Sequence, residues 1–298
     1  MAVGRFAPSP SGPLHLGNLR TALLAWWAAR GDGSRFLLRV EDLDPSSRPG
    51  HEAGQLADLE ALGLDWDGPV VRQSERRDLY EDALDRLVAA GLTYPCYCTR
   101  REIREAVRAP HTPPDAYPGT CRRLTEAERR ARRAEGRPPA LRLRSPGVEV
   151  EAVDALHGPV RGVVDDVVLR RNDGLPAYNL VVVVDDAAQG VEEVVRGDDL
   201  LPSTPRQVHL ARVLGLAVPA HLHVPLVLGP DGARLAKRHG AVTLADATAA
   251  GVAPAEVRRR LAASVGLPDP GPAPPPLDRA GLPTVATTWD GSWVAPPR

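Results

Sequence analysis

Two short stretches carry residue types that could manage phosphate chemistry. Residues 5–18 read RFAPSPSGPLHLGN, and residues 234–238 read RLAKR. The first predicts a strand end, a Pro/Gly/Ser-rich turn and a helix opening at His15-Leu16-Gly17-Asn18. A helix N-terminus presents unpaired N–H groups and a partial positive charge, which suits a nucleotide phosphate. Gly17 leaves a face without a side chain, so a flat adenine can approach the backbone there. His15 and Asn18 add donors at the same turn. Lys237 falls in a loop after an apolar strand, where a cation can meet charge developing on phosphates. Alone, the first stretch reads more simply as a helix cap and the second as a solvated loop.

A second group of residues suits an amino-acid ligand. Arg5 and Arg196 each end an apolar strand-like run, and strand ends line the cleft of an open sheet. A buried carboxylate needs such a guanidinium, because an unpaired one costs several kcal/mol. Glu41 ends another apolar run and could take an ammonium, and Tyr178 offers a hydroxyl. The plain reading of each Arg is a surface salt bridge.

A third group is metal-like. Cys96-x-Cys98 and Cys121 place three soft ligands in one loop-rich segment, and zinc wants four donors arranged tetrahedrally. Tyr117, His111 and His157 are the candidates for the fourth, with His111 the commonest ligand type. The competing reading is three buried, reduced cysteines. Close by, Arg122, Arg123, Arg129, Arg130, Arg132, Arg133 and Arg137 form a dense run. It suits RNA phosphates, or else a solvated helix face balanced by Glu126, Glu128 and Glu135.

The elements that must position these groups read as follows. Residues 3–6 and 36–40 are short strands; residues 19–30, 50–62 and 75–90 have helical spacing. Such alternation predicts parallel pairing in a doubly wound, Rossmann-like α/β sheet. The rhythm breaks over residues 94–165, which hold all three Cys, a Pro-rich segment and the Arg run, so an insertion is expected there. It divides a nucleotide-binding domain into halves 1–93 and 166–240. Alternation resumes with strands expected at 167–170, 180–184, 193–196 and 223–228, and a helix at 204–214. Residues 241–267 predict a short helical part broken near Gly251 and Pro254. The Pro-rich tail 268–298 is expected to be poorly ordered, although Trp289 and Trp293 suggest docking on the body.

Composition narrows the class. The 298 residues are 43% hydrophobic, enough for a sizeable core, yet 4% aromatic, so Leu, Val and Ala must build it. A formal net charge of −1 gives no bulk attraction for nucleic acid, so any RNA site must be a local patch. Three Cys argue against a disulfide framework. No apolar run reaches a membrane span and no leader precedes the first strand, so a cytoplasmic protein is expected; a monomer is expected as well.

Taken together, RFAPSPSG and RLAKR resemble the two signatures of class I aminoacyl-tRNA synthetases. The leucine and His-x-Gly after the first resemble the glutamate-type branch. Ordered matches continue with Arg39-Val40-Glu41-Asp42 and Asp44-Pro45, residues 63–68, Val183-Val184-Asp185-Asp186, and Arg196-Gly197-Asp198-Asp199 with Thr204-Pro205-Arg206-Gln207. The likeness spans residues 3–265. It departs at Asn18, where many such enzymes have a second His, and at Ala236, where a Ser is usual. The resemblance implies glutamate contacts from Arg5, Ala7, Ser9, Glu41, Tyr178 and Arg196. It implies contacts to ATP, with Mg2+, from His15, Gly17, Asn18 and Lys237, of which His15, Asn18 and Lys237 would be catalytic. About 60 residues follow Arg238, too few for the anticodon-reading region of a glutamyl-tRNA synthetase. The chain therefore resembles the shortened family, the glutamyl-queuosine tRNA(Asp) synthetases, which carry a Cys-x-Cys…Tyr-x-x-x-Cys zinc site. That pattern selects Cys96, Cys98, Tyr117 and Cys121, with His111 as the alternative fourth ligand. Expected substrates are L-glutamate, ATP and queuosine-bearing tRNA(Asp). The competing readings are a truncated enzyme charging tRNA(Glu), and a zinc-bearing RNA-binding module with a decayed ATP site.

Overall fold

Gly4–Phe6 (β1) and Phe36–Val40 (β2) are apolar runs joined by helix Leu16–Gly31 (α1), and they pair in parallel with Arg5 opposite Leu37. The computed structural model describes residues 2–99, 101–103, 117–145, 147–240, 242–291 and 293–294. Beyond β2 lies Val71–Arg72 (β3). On the other side β1 meets Glu193–Gly197 (β9), then Ala220–Val224 (β10), then Val148–Asp154 (β6). These neighbours are all parallel, and Gly158–Val164 (β7) closes the edge antiparallel to β6. Strand order reverses direction between β1 and β9, the place where open α/β sheets form their ligand crevice.

Helix α1 is buried on nearly every side, with Leu16, Leu19, Leu23 and Leu24 fully enclosed. Its two indoles are satisfied: Trp26 Nε1 donates to Asp65 Oδ1 at 2.7 Å and Trp27 Nε1 to the Pro275 carbonyl at 2.7 Å. A helix buried all round holds its N-terminus rigidly, and that N-terminus is the phosphate-suited turn.

Three expectations need correction. Residues 180–184 (LVVVV) are not a strand; they lie in helix Tyr178–Ala188. The run is β-branched, but Leu180, Val181 and Val182 are all buried, so no alternation marks the period and packing overrides propensity. The strand expected over 223–228 is two strands, β10 and Val227–Leu228 (β11), separated at Pro225, which lacks the N–H a ladder needs. The tail was expected to be poorly ordered, but its described residues, 268–291 and 293–294, include several packed on the body. Thr287–Thr288 pairs in parallel with β11, and Leu277, Leu282, Trp289 and Trp293 are buried. Those widely spaced apolar anchors outweigh the Pro/Gly composition, and prolines lower the entropy lost on ordering. Arg279 fixes the strap further, at 2.6 Å from Glu193 and 2.7 Å from Asp32.

Residues 93–170 divide in two ways. Thr93–Cys96 (β4), Ala140–Leu143 (β5) and Val168–Arg170 (β8) form a separate antiparallel sheet, whereas the β6–β7 hairpin extends the central one. The Arg-rich helix Glu126–Ala134 buries none of its residues and starts with a Thr125/Glu128 capping box. Arg129, Arg132 and Arg133 pair with Glu126 or Glu135 at 3.4–3.8 Å.

Candidate active site and metal centre

A cleft of about 560 Å3 opens where β1 and β9 end. It gathers Arg5, Ala7, Ser9, His15, Gly17, Asn18, Glu41, Tyr178 and Arg196 on one wall or another, with Ala236 of the RLAKR stretch facing them. The Pro/Gly turn is pinned from three sides. The Glu41 amide donates to the Pro8 carbonyl at 2.9 Å, and the Arg48 amide to the Pro10 carbonyl at 3.0 Å. The Gln55 side chain donates to the carbonyls of Ser9 and Gly12 at 3.1 and 2.7 Å. Gln55 carries no chemistry of its own, so nothing in the sequence marked it.

His15 is the N-cap of α1. Its Nδ1 accepts from the Asn18 amide at 3.1 Å, which leaves Nε2 as the protonated nitrogen of a neutral ring. Burial, and next the nearby Arg234, lower its pKa from 6.5 to about 4. A Cβ on Gly17 would sit 3.1 Å from the His15 ring and 3.2 Å from Val227, so the glycine also keeps space for that ring. The first signature is tied to the segment just past the second, the Leu16 amide donating to Val242 O at 2.7 Å, and Arg234 pairs with Asp199 at 3.0 Å. In the RLAKR loop the Ala236 amide donates to His239 Nδ1 at 3.0 Å. Lys237 opens a short 3-10 turn; its side chain lies outside the described residues.

The cationic groups at the cleft are not equivalent. Arg5 Nε is 3.3 Å from Asp186, and Arg39 holds Asp186 at 2.8 Å and Glu41 at 3.5 Å. Glu41 is buried, and that burial raises its pKa above the ordinary value even though Arg39 and Arg5 oppose the shift. Arg196 differs: Nε reaches His223 Nε2 at 2.9 Å, Nη1 reaches Gln207 Oε1 at 2.7 Å and Nη2 reaches Thr204 Oγ1 at 3.0 Å. Its hydrogen-bond partners are all neutral, and burial lowers its pKa. A buried guanidinium without a carboxylate is a site prepared for an anion.

Burial also lowers His221, ahead of the effect of Arg196, to about 3, and it lowers His223. An imidazole with a depressed folded pKa takes its proton first in the unfolded chain. Stability should therefore fall as pH drops below about 6.5, and for His15 the loss is complete near pH 4. Urea unfolding at pH 7, 5.5 and 4.5 checks this, on a scale of at most about 1.4 kcal/mol per pH unit per imidazole. A midpoint that stays constant to pH 4.5 contradicts it.

The cysteines converge. The sulfurs of Cys96, Cys98 and Cys121 lie within 4.8 Å of one another, with Cys98 to Cys121 at 3.4 Å. The Tyr117 hydroxyl is 3.3 Å from Cys96 Sγ and 3.5 Å from Cys98 Sγ. Tetrahedral zinc with Zn–S of about 2.3 Å and Zn–O of about 2.0 Å needs donor separations of roughly 3.5–3.8 Å. The separations of 3.3, 3.5 and 3.4 Å come near that spacing, so the residue set suits such an ion. The cluster shares its protons unevenly: hydrogen bonds with Cys121 and then Cys98 hold the Cys96 thiol below its usual pKa, while hydrogen bonds with Cys121 and then Cys96 push the Cys98 thiol up, and burial pushes up Tyr117. His157 is elsewhere, its Nε2 3.1 Å from the His223 carbonyl, and His111 lies outside the described residues.

Residues 1–264 match the family model for tRNA synthetases class I (E and Q), catalytic domain. The chain is 69% identical over 272 residues to a glutamyl-Q tRNA(Asp) synthetase of Nocardia farcinica, covering 91% of this chain and 86% of the relative. It is 56% identical over 284 residues to the enzyme of that name from Symbiobacterium thermophilum, covering 90% and 88%. A solved glutamate tRNA ligase from Elizabethkingia meningosepticum, in complex with its amino acid, superposes with a TM-score of 0.78 at 27% identity, covering 98% of this chain and 68% of that one. The ordered signatures, the cleft they build at the switch point and these likenesses converge: the chain belongs to the class I tRNA synthetases for glutamate and glutamine, in their glutamyl-Q tRNA(Asp) synthetase branch.

Proposed function

We propose that this protein activates L-glutamate with ATP and transfers it to the queuosine base in the anticodon loop of tRNA(Asp). The observation that carries the amino-acid half is Arg196, a buried guanidinium on the cleft wall whose hydrogen bonds all go to neutral groups. The acceptor half rests on the relatives' names.

In the first step the glutamate α-carboxylate attacks the α-phosphorus and pyrophosphate leaves. Arg196 and Arg5 take the carboxylates, with Ala7, Ser9 and Tyr178 completing the pocket, and Glu41 takes the ammonium. The protonated Nε2 of His15, the side chain of Asn18 and the ammonium of Lys237 stabilise the phosphates, while Gly17 floors the adenine. Mg2+ would share the phosphate charge. In the second step a queuosine hydroxyl attacks the anhydride carbonyl and AMP leaves. Positioning and charge stabilisation suffice, so no side-chain nucleophile is required.

One structural zinc held by Cys96, Cys98, Tyr117 and Cys121 would fix the segment before the Arg-rich helix. Purified without chelators, the protein should carry about one zinc per chain. Cys98→Ser should lose it and expose residues 94–125 to proteolysis, while glutamate activation declines less. Metal-free protein of wild-type stability would refute the site. Unpaired arginines of the run would add salt-sensitive contacts to tRNA phosphates. Among the described residues no helix is long and apolar enough to cross a membrane. A monomer working in the cytoplasm, where tRNA and ATP are found, fits this reading, as does a catalytic domain interrupted by the metal-bearing segment.

The deciding assay combines labelled glutamate, ATP and tRNA(Asp) with or without queuosine. Label should enter only the queuosine-bearing RNA and stay on the RNA body after the 3′ adenosine is clipped. Label released with that adenosine, or accepted by tRNA(Glu), would favour a truncated tRNA(Glu)-charging enzyme. No glutamate-dependent pyrophosphate exchange at all would favour an RNA-binding module.

A further inference from the structure

Three adjacent strands carry a polar line that ends at Arg196. Asp154 closes β6, His223 lies on β10 and Arg196 on β9, with His223 directly opposite Arg196 in the parallel register. Asp154 is 2% exposed and His223 0%. Asp154 Oδ1 accepts from the amides of Leu156 and His157 at 3.0 and 2.9 Å, and Oδ2 accepts from the His223 amide at 2.9 Å. Oδ2 also lies 2.7 Å from His223 Nδ1. Burial pushes the Asp154 carboxyl up, but its hydrogen bonds, first that of His223, prevail and hold it at about 2.

A carboxylate that accepts every one of these bonds forces the proton onto His223 Nδ1. Nε2 is then a bare lone pair, and it accepts from Arg196 Nε at 2.9 Å. The line thus runs as donor into acceptor from the guanidinium to the acid. With His223, Gln207 and Thr204 each taking one of its five N–H groups, two remain for a ligand.

We propose that His223, held in one tautomer by Asp154, is a positioning residue that aims the Arg196 guanidinium into the cleft and thereby sets selection of glutamate over glutamine. This rests on the proposed function, with Arg196 as the cation that takes the side-chain carboxylate of glutamate and Arg5 the other. Glutamine offers an amide that donates as well as accepts, so it matches a fixed pair of N–H donors poorly. A guanidinium free to turn would lose that discrimination before it lost all affinity. Neither Asp154 nor His223 lines the cleft. The effect runs through Arg196.

The test is pyrophosphate exchange with wild type, His223→Leu, His223→Gln and Asp154→Asn, titrating glutamate, glutamine and ATP separately. Leu keeps the bulk without an acceptor; Gln restores an acceptor oxygen. His223→Leu should raise the glutamate KM by about tenfold or more, the range for a lost hydrogen bond to a charged group. The ATP KM should stay within twofold, and the glutamate-over-glutamine ratio of kcat/KM should shrink by a similar factor. His223→Gln should recover most of both. A purely structural role would lower the active fraction, leaving both KM values and the ratio unchanged, and a soluble His223→Leu of that kind overturns the proposal. Should His223→Leu fail to fold, Asp154→Asn decides: a raised glutamate KM with reduced selectivity supports the line, and wild-type values refute it. Wild-type protein inactive with glutamate would instead sink the reading of the cleft itself.

Discussion

Arg196→Ala should raise the glutamate KM by roughly thirty- to several-thousand-fold, the equivalent of about 2–5 kcal/mol for truncating one partner of a buried charge pair. The basis is its environment. Arg196 is 6% exposed, and its hydrogen bonds go to His223, Gln207 and Thr204. No other guanidinium described at this cleft stands so clear of carboxylates; Arg5 is close to Asp186, and Arg234 to Asp199. Arg196→Lys should fare little better, because an ammonium cannot fill three divergent acceptors and still present a flat pair of donors. Pyrophosphate exchange against glutamate concentration, at saturating ATP, gives the number. A glutamate KM near the wild-type value in Arg196→Ala would move the carboxylate site to Arg5.

How far the sequence could be read depended on whether the signal was local. The turn from Arg5 to Asn18 was legible because helix N-terminus chemistry and glycine placement are local. The same holds for β2, whose five residues read as a buried strand and are one. Cys96, Cys98 and Cys121 were legible by residue type, and their convergence with Tyr117 follows from the turn Thr120–Arg123 packing on the end of β4, where the Tyr97 amide donates to Cys121 Sγ and the Cys121 amide to the Tyr117 hydroxyl. Residues 180–184 were not, since an apolar β-branched run buried on all sides has no period to distinguish helix from strand. Asp154 and His223 were missed for a related reason. They sit 69 residues apart, and only the β6–β10 pairing makes them partners. The tail misled because composition weighs every residue equally. A few anchors, Leu277, Leu282, Trp289 and Trp293, decide whether it docks.

His15 tests whether a residue that caps a helix also does chemistry. Its Nδ1 is occupied by the Asn18 amide, so capping uses one edge of the ring and frees the other. With the ring neutral above pH about 4, Nε2 carries a proton that can be donated to a phosphate oxygen across the working pH range. His15→Ala removes both functions. Loss of the cap should cost about 1 kcal/mol of stability. Loss of a preorganised donor to developing phosphate charge should slow adenylate formation by roughly a hundred- to a thousandfold. His15→Asn separates them, because a short amide caps well but does not reach as far as an imidazole Nε2. The unfolding midpoint of His15→Asn should return close to wild type while exchange stays as slow as in His15→Ala. If His15→Asn regains both stability and rate, the histidine is a cap alone, and stabilisation of the phosphates falls to Asn18 and Lys237.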